Sequence, residues 1–181
     1  MTHAEQILRR LDAHLTSRVE LTLYVRAALS LGFPEPSPEY ALSRDVDAVL
    51  WLGQAEDLNE NTNFWEAVEN TNRELGDRDL YVSHFFVEDQ VILLPDWRTN
   101  RIALPGTWSH LVLFRLGDVD LLLTKLMRDD PIDQADARFI VERAALSEAA
   151  IRAAIARARV PGAAEIREQF ASAADRLLRS L

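Results

Sequence analysis

Two aspartates stand one residue apart in Ser43-Arg44-Asp45-Val46-Asp47, at the mouth of an apolar run that continues to Leu52. In an extended chain alternate side chains share a face, so Asp45 and Asp47 project together while Val46 points the other way. Two carboxylates side by side repel each other and are costly to strip of water. A hard divalent cation relieves both costs, and oxygen ligands of this kind suit Mg²⁺. The plainer alternative is a pair of acids in solvent at a strand entrance, paired with Arg44 or with nothing. Spacing alone leaves both open, because Asp-x-Asp arises often by chance.

A second group lies in Asp120-Leu-Leu-Leu-Thr-Lys-Leu-Met-Arg128 and the acidic stretch that follows to Asp136. On a helix Leu121, Leu122, Lys125 and Leu126 fall near one another, which puts a lysine on the border of an apolar face. Such a lysine snorkels to water or, aimed into a cleft, holds a phosphate as a point charge. Asp133 and Asp136 share a helix face, and Asp133 reads as an acid complementing the helix dipole. The four histidines (His3, His14, His84, His110) have no metal-ligand spacing. Phosphate-loop, dinucleotide and nucleophile-elbow patterns are absent. Trp51, Trp65, Trp97 and Trp108 sit in or beside apolar segments and read as core; Trp97 with Arg98 and Arg101 is a core edge or a stacking patch.

The elements that must position these residues follow from periodicity. Helical spacing of Ala4, Ile7, Leu8, Leu11 and Leu15 predicts a first amphipathic helix. Strands are expected at 19–25 and 46–52, the second buried, with a short helix over 26–31 stopping at a left-handed Gly32 and a proline-rich extended loop at 33–39. A helix over 61–75 ends at Gly76; strands are expected at 81–87, 90–94 and 110–116. From Gly117 the chain reads as helical, roughly 119–128, 133–144, 148–159 and 163–178, with Ser147 as an N-cap. The fold class is therefore α+β: a small mixed sheet flanked by helices over residues 1–117 and a helical C-terminal portion over 118–181.

Composition narrows the function classes. The 181 residues carry a net charge of −9, and residues 41–90 hold twelve acids against three bases, so the whole surplus sits in the middle of the chain. Such a surface repels phosphate backbones, which disfavours broad nucleic-acid binding without forbidding a metal-bridged nucleotide. The absence of cysteine removes thiol catalysis and Cys-based metal sites. With no signal-peptide pattern at Met1-Thr-His-Ala-Glu-Gln and no long apolar run, a cytoplasmic protein without a membrane span is expected.

Taken in order over residues 19–145, the strand, short helix, Ser-x-Asp-hydrophobic-Asp strand, Asp-Leu-Leu-Leu-Thr-Lys helix and Asp-x-x-Asp helix resemble the bacterial nucleotidyltransferase-like proteins of the minimal nucleotidyltransferase and AbiEii toxin groups. The resemblance implies a polymerase-β-like core. Asp45 and Asp47 would hold Mg²⁺ and a nucleoside triphosphate beside Ser43, and a nucleoside monophosphate would pass to an RNA or protein acceptor, in a toxin–antitoxin or phage-defence setting. Metal clamps and positioning, not a protein nucleophile, carry such a transfer. Where the family has a glycine turn this chain reads Tyr24-Val25-Arg26-Ala27-Ala28-Leu29. Arg26 or Lys125 would neutralise phosphate, and Asp96, before Asp89, is the candidate third carboxylate. The missing glycines leave a second reading, an inactive member kept as a binding or regulatory module. A homodimer or a cognate partner protein is compatible with the apolar stripes of residues 149–178.

Overall fold

A computed structural model describes residues 1–181 and is α+β, a five-stranded mixed sheet with flanking helices and a helical C-terminus. The chain divides into two compact units. One comprises Met1–Val87 and Arg101–Arg115; the other comprises Glu88–Asn100 and Leu116–Leu181.

The first unit holds the whole sheet. Strands β1 (Val19–Tyr24), β2 (Asp45–Leu50), β3 (Tyr81–Val87), β4 (Ile102–Ala103) and β5 (Leu111–Arg115) lie in the order β3-β2-β1-β5-β4. β1 runs antiparallel to β2 and parallel to β5, while β2 and β3 are parallel. Helix α1 (His3–His14) follows the predicted apolar stripe, burying Ala4, Ile7, Leu8 and Leu11, and packs on α5 (Thr62–Leu75) and β2. Its Asp12 faces inward and accepts the backbone N–H groups of Ser109, His110 and Leu111 at 2.7–2.8 Å, which fixes the start of β5 to the helix. Burial raises the Asp12 pKa, but the three N–H donors outweigh it, and the net shift is downward.

Helix α2 (Val25–Gly32) leaves β1 with no intervening loop. The expected left-handed Gly32 is not found: no glycine has positive φ. Gly32 is required for space instead, since a Cβ there would overlap the side chain of Arg115, whose Nε donates to the Gly32 carbonyl at 3.2 Å and whose guanidinium lies over the Phe33 ring. The left-handed conformation falls on Val25, with φ of 57°. The proline-rich stretch closes on a four-residue helix, α3 (Pro38–Ala41), and β2 hands over to a helix the periodicity did not show, α4 (Leu52–Glu60). At the sheet edge, the side chain of Asn72 on α5 accepts the N–H of Val82 at 2.7 Å and donates to its C=O at 2.9 Å, so α5 occupies the outward-facing hydrogen-bonding groups of that residue.

The second unit is helical: α6 (Asp118–Lys125), α7 (Pro131–Arg143), α8 (Glu148–Arg157) and α9 (Ala164–Ser180), with Ser147 capping α8 through Ala150 N–H as expected. No strand forms over 90–94. Leu93 makes only an isolated antiparallel bridge with Arg159, which satisfies its backbone, and Trp97 is fully buried nearby with its Nε1 donating to Glu88. Trp97 is the only one of the four tryptophans in the core; Trp65 is 40% exposed and bonds the Leu58 carbonyl. No helix is long and apolar enough to cross a membrane.

Candidate functional site at the mouth of the second strand

Both acids lie on β2, Asp45 exposed at its first position and Asp47 buried two residues on. Arg44 turns away to pair with Asp79 at 3.1 Å, so it does not answer the two acids. Ser43 does: its hydroxyl donates to Asp45 Oδ1 at 3.0 Å. Burial, and after it the negative charge of Asp45, hold the Asp47 carboxyl above the ordinary aspartate range, against the lowering effect of His84.

His84 reaches Asp47 through an irregularity in the sheet. Val46 pairs with Val82 and Ala48 with Phe85, so two residues of β3, Ser83 and His84, stand opposite the single residue Asp47. A bulge of this kind re-aims backbone and side chains beside a site. The His84 N–H donates to Asp47 Oδ1 at 3.0 Å, and its Nδ1 lies 3.3 Å from the same oxygen and 2.6 Å from Ser83 Oγ. The imidazole is 67% exposed. His84 went unrecognised in the sequence because its tie to Asp47 comes from strand register, which leaves no trace in ligand spacing.

The antiparallel ladder then brings the β1–α2 junction to the same place. Tyr24 is the register partner of Asp47, and the chain after it turns through left-handed Val25 into α2. Tyr24 occupies the N-cap position of α2 without a side-chain cap hydrogen bond. First-turn N–H groups of a helix carry partial positive charge and suit an anion. Arg26 lies in that turn, over the Tyr40 ring and 4.0 Å from Glu39. Ser43, Asp45, Asp47 and Arg26 thus belong to the first unit, and the strand pairing sets Tyr24, two residues before Arg26, opposite Asp47.

Asp96 and Lys125 belong to the second unit. Asp96 lies in an exposed turn, 3.1 Å from Arg157, and Asp89 in an exposed single turn of 3₁₀ helix; β3, the neighbour of β2, has no acid. Lys125 neither snorkels nor stands open. It is 3% exposed, with its Nζ 2.8 Å from Asp136 and 3.3 Å from Asp133. Asp133 stands in the first turn of α7, as its reading as an acid complementing the helix dipole requires, and is in addition a buried ion-pair partner shared with Arg128 at 2.9 Å. Asp130 occupies the N-cap of that helix, accepting the Asp133 N–H.

Asp45 and Asp47 offer two carboxylates, with no group of three His, Cys, Asp or Glu completing a protein cage. That donor set fits Mg²⁺, which keeps several waters and is usually held by one or two carboxylates together with substrate phosphates. No family model matches the chain, and no curated protein or solved structure is similar enough to it to count as a match.

Proposed function

We propose that the protein is a Mg²⁺-dependent nucleotidyltransferase, transferring a nucleoside monophosphate from a nucleoside triphosphate to an RNA or protein acceptor. The observation that supports the reading is the pairing of Tyr24 with Asp47, which sets an uncapped helix start against a pair of carboxylates. A cation site beside an anion site is what a metal-bound triphosphate requires. Asp45 and Asp47 would hold the ion, which supplies charge neutralisation on the phosphates and a template for in-line displacement. Ser43 orients Asp45, the bulge amide of His84 orients Asp47, and Arg26 adds positive charge in the first turn of α2. A toxin–antitoxin or phage-defence setting belongs to this reading.

Two features favour a second reading, a module that binds nucleotide without transferring it. Val25 puts a β-branched side chain where a glycine turn would leave the amides open, and β3 presents His84, not a third acid, to Asp47. One set of measurements separates the readings: calorimetric titration with Mg²⁺ and each of the four nucleoside triphosphates, followed by transfer of label from α-³²P nucleotide to total RNA and to protein. Metal-dependent binding that Asp45→Ala and Asp47→Ala both abolish, together with label transfer, is the expected result. Binding without transfer selects the module, and binding that survives both substitutions overturns the site.

A further inference from the structure

Tyr24, Asp47 and His84 form one row across β1, β2 and β3, with neighbouring strands about 4.8 Å apart. Their side chains share a face of the sheet. The Tyr24 ring meets Phe86 edge-on at 5.7 Å, the Phe86 ring lies 5.4 Å from the His84 imidazole, and that imidazole reaches Asp47. The two ends of the row differ in chemistry. Toward β1 stands the uncapped start of α2, which suits an anion, and toward β3 stands a ring nitrogen able to act as a nucleophile. The ring is held for that use. Its Nδ1 lies 3.3 Å from Asp47 Oδ1 and 2.6 Å from Ser83 Oγ. An ionised carboxylate only accepts, so the contact with Asp47 puts the ring proton on Nδ1 and leaves the lone pair on Nε2. No hydrogen bond or ion pair occupies Nε2, and the imidazole is 67% exposed. Both hydrogen bonds that Asp47 accepts end on Oδ1, so its Oδ2 stays free for the ion.

Displacement at phosphorus sets the nucleophile and the leaving group on opposite sides of the reacting atom. With the ion on Asp47 in the middle of the row and the departing phosphates toward α2, the group on the far side is His84. We propose that His84 is the nucleophile of a two-step transfer, an inference that rests on the nucleotidyltransferase reading. Nε2 attacks the α-phosphorus, and an N–P bond forms as the bond from phosphorus to the bridging oxygen breaks, its electron pair leaving with pyrophosphate. The acceptor oxygen then attacks the same phosphorus. The N–P bond breaks, its electron pair returns to Nε2, and the acceptor's proton passes to water. Throughout, the Nδ1 proton stays between the ring and Asp47, whose negative charge offsets the positive charge the ring gains while phosphorus is attached. The first step uses no carboxylate base, and β3 carries none.

The test is incubation of the full chain with Mg²⁺ and each of the four nucleoside triphosphates, labelled at the α- or the γ-phosphate, with no acceptor added. The α-label is expected to enter the chain and the γ-label to stay out, in a bond that survives alkali and is lost in acid, as a phosphoramidate is. Peptide mass spectrometry should place it on His84. His84→Gln, at an exposed side chain, is expected to lose the label and to slow transfer to RNA or protein roughly a hundredfold, while Mg²⁺-dependent nucleotide binding stays within about threefold. His84→Gly with added imidazole is expected to release a nucleoside phosphorimidazolide, a product that a merely positioning ring would not give. Transfer without a labelled chain, an acid-stable label, or undiminished transfer in His84→Gln would each overturn the nucleophile and leave the nucleotidyltransferase reading standing. Binding with neither label nor transfer overturns it and selects the module, and absence of metal-dependent nucleotide binding in the parent chain overturns both.

Discussion

Asp47 is held in the fold at a cost, and that cost is measurable. Its carboxyl is buried, faces the charge of Asp45, and has a raised pKa in spite of the His84 N–H. At pH 7 the ionised form is therefore less favourable in the folded chain than in the unfolded one. Asp47→Asn keeps an acceptor for the His84 amide and removes the charge, so it should raise Tm by about 1–3 °C at pH 7 while abolishing Mg²⁺-dependent nucleotide binding. Thermal melts across pH check the sign: the advantage of the variant should shrink as pH falls and Asp47 itself takes up a proton. A loss of stability at pH 7 would show that the charge-assisted bond to His84 outweighs burial and repulsion. Val25 makes the complementary case in the backbone. A β-branched residue at φ of 57° stores roughly 1–2 kcal/mol of strain. Val25→Gly should accordingly cost nothing in stability, or gain about 1 kcal/mol in denaturant unfolding, whereas Val25→Ile should retain the strain.

Among the elements, β3 is the one whose behaviour depends most on a single neighbour. It lies at one edge of the sheet and reads Tyr-Val-Ser-His-Phe-Phe-Val, with neither Pro nor Lys to discourage pairing with another chain. The Asn72 side chain is the guard, occupying both backbone groups of Val82. Asn72→Ala should lower unfolding stability by about 1–3 kcal/mol and produce concentration-dependent dimers or larger species in size-exclusion chromatography. An elution profile unchanged from the parent chain would assign Asn72 to local packing alone. This edge also marks where legibility in the sequence ended. The amphipathic α1 and α5 and the strands β1 and β3 were readable, because period 2 and period 3.6 are local properties, although Val25, expected to end the first strand, instead opens α2. The bulge was not: whether Asp47 meets one residue of β3 or two depends on register between strands distant in sequence. The expected strand at 90–94 failed for a related reason, since an apolar run has no strand without a partner, and Leu93 finds only Arg159. Spacing put Lys125 at the border of an apolar face, but α6 is buried throughout Asp120–Lys125, and the lysine's burial is decided by Asp133 and Asp136 on α7, a packing fact that spacing cannot carry.

For the molecule as a whole, three buried acids shape the pH dependence of stability: Asp120 in the second unit and Asp47 in the first have raised pKa values, and Asp12, also in the first, has a lowered one. Asp120 of α6 is fully buried, accepting the Leu94 N–H at 2.7 Å, and burial pushes its pKa up to about 6. Its folded value lies above the unfolded one, so between about pH 4 and 6 the folded chain binds more protons and stability falls as pH rises, by about 3 kcal/mol over the window. Asp12 acts with the opposite sign. Its folded pKa is depressed, so its contribution is present above the unfolded value near 4 and is lost as pH falls through the folded one. Stability should therefore peak on the acidic side of neutrality, near the sequence isoelectric point of 4.9, where self-repulsion of the −9 chain is also relieved. The tryptophans separate the two effects, because Trp97 shares its unit with Asp120 while Trp51, Trp65 and Trp108 share theirs with Asp12. In a chain with Trp97 as its only tryptophan, the urea midpoint followed by fluorescence should rise as pH is lowered from 7 to 5, and Asp120→Asn should flatten that limb. In a chain retaining only Trp108, the dominant change should be the loss of stability below pH 4, abolished by Asp12→Asn at the expense of stability at neutral pH. If both reporters instead trace one common curve, the two units unfold as a single cooperative body and the opposing limbs sum in one transition.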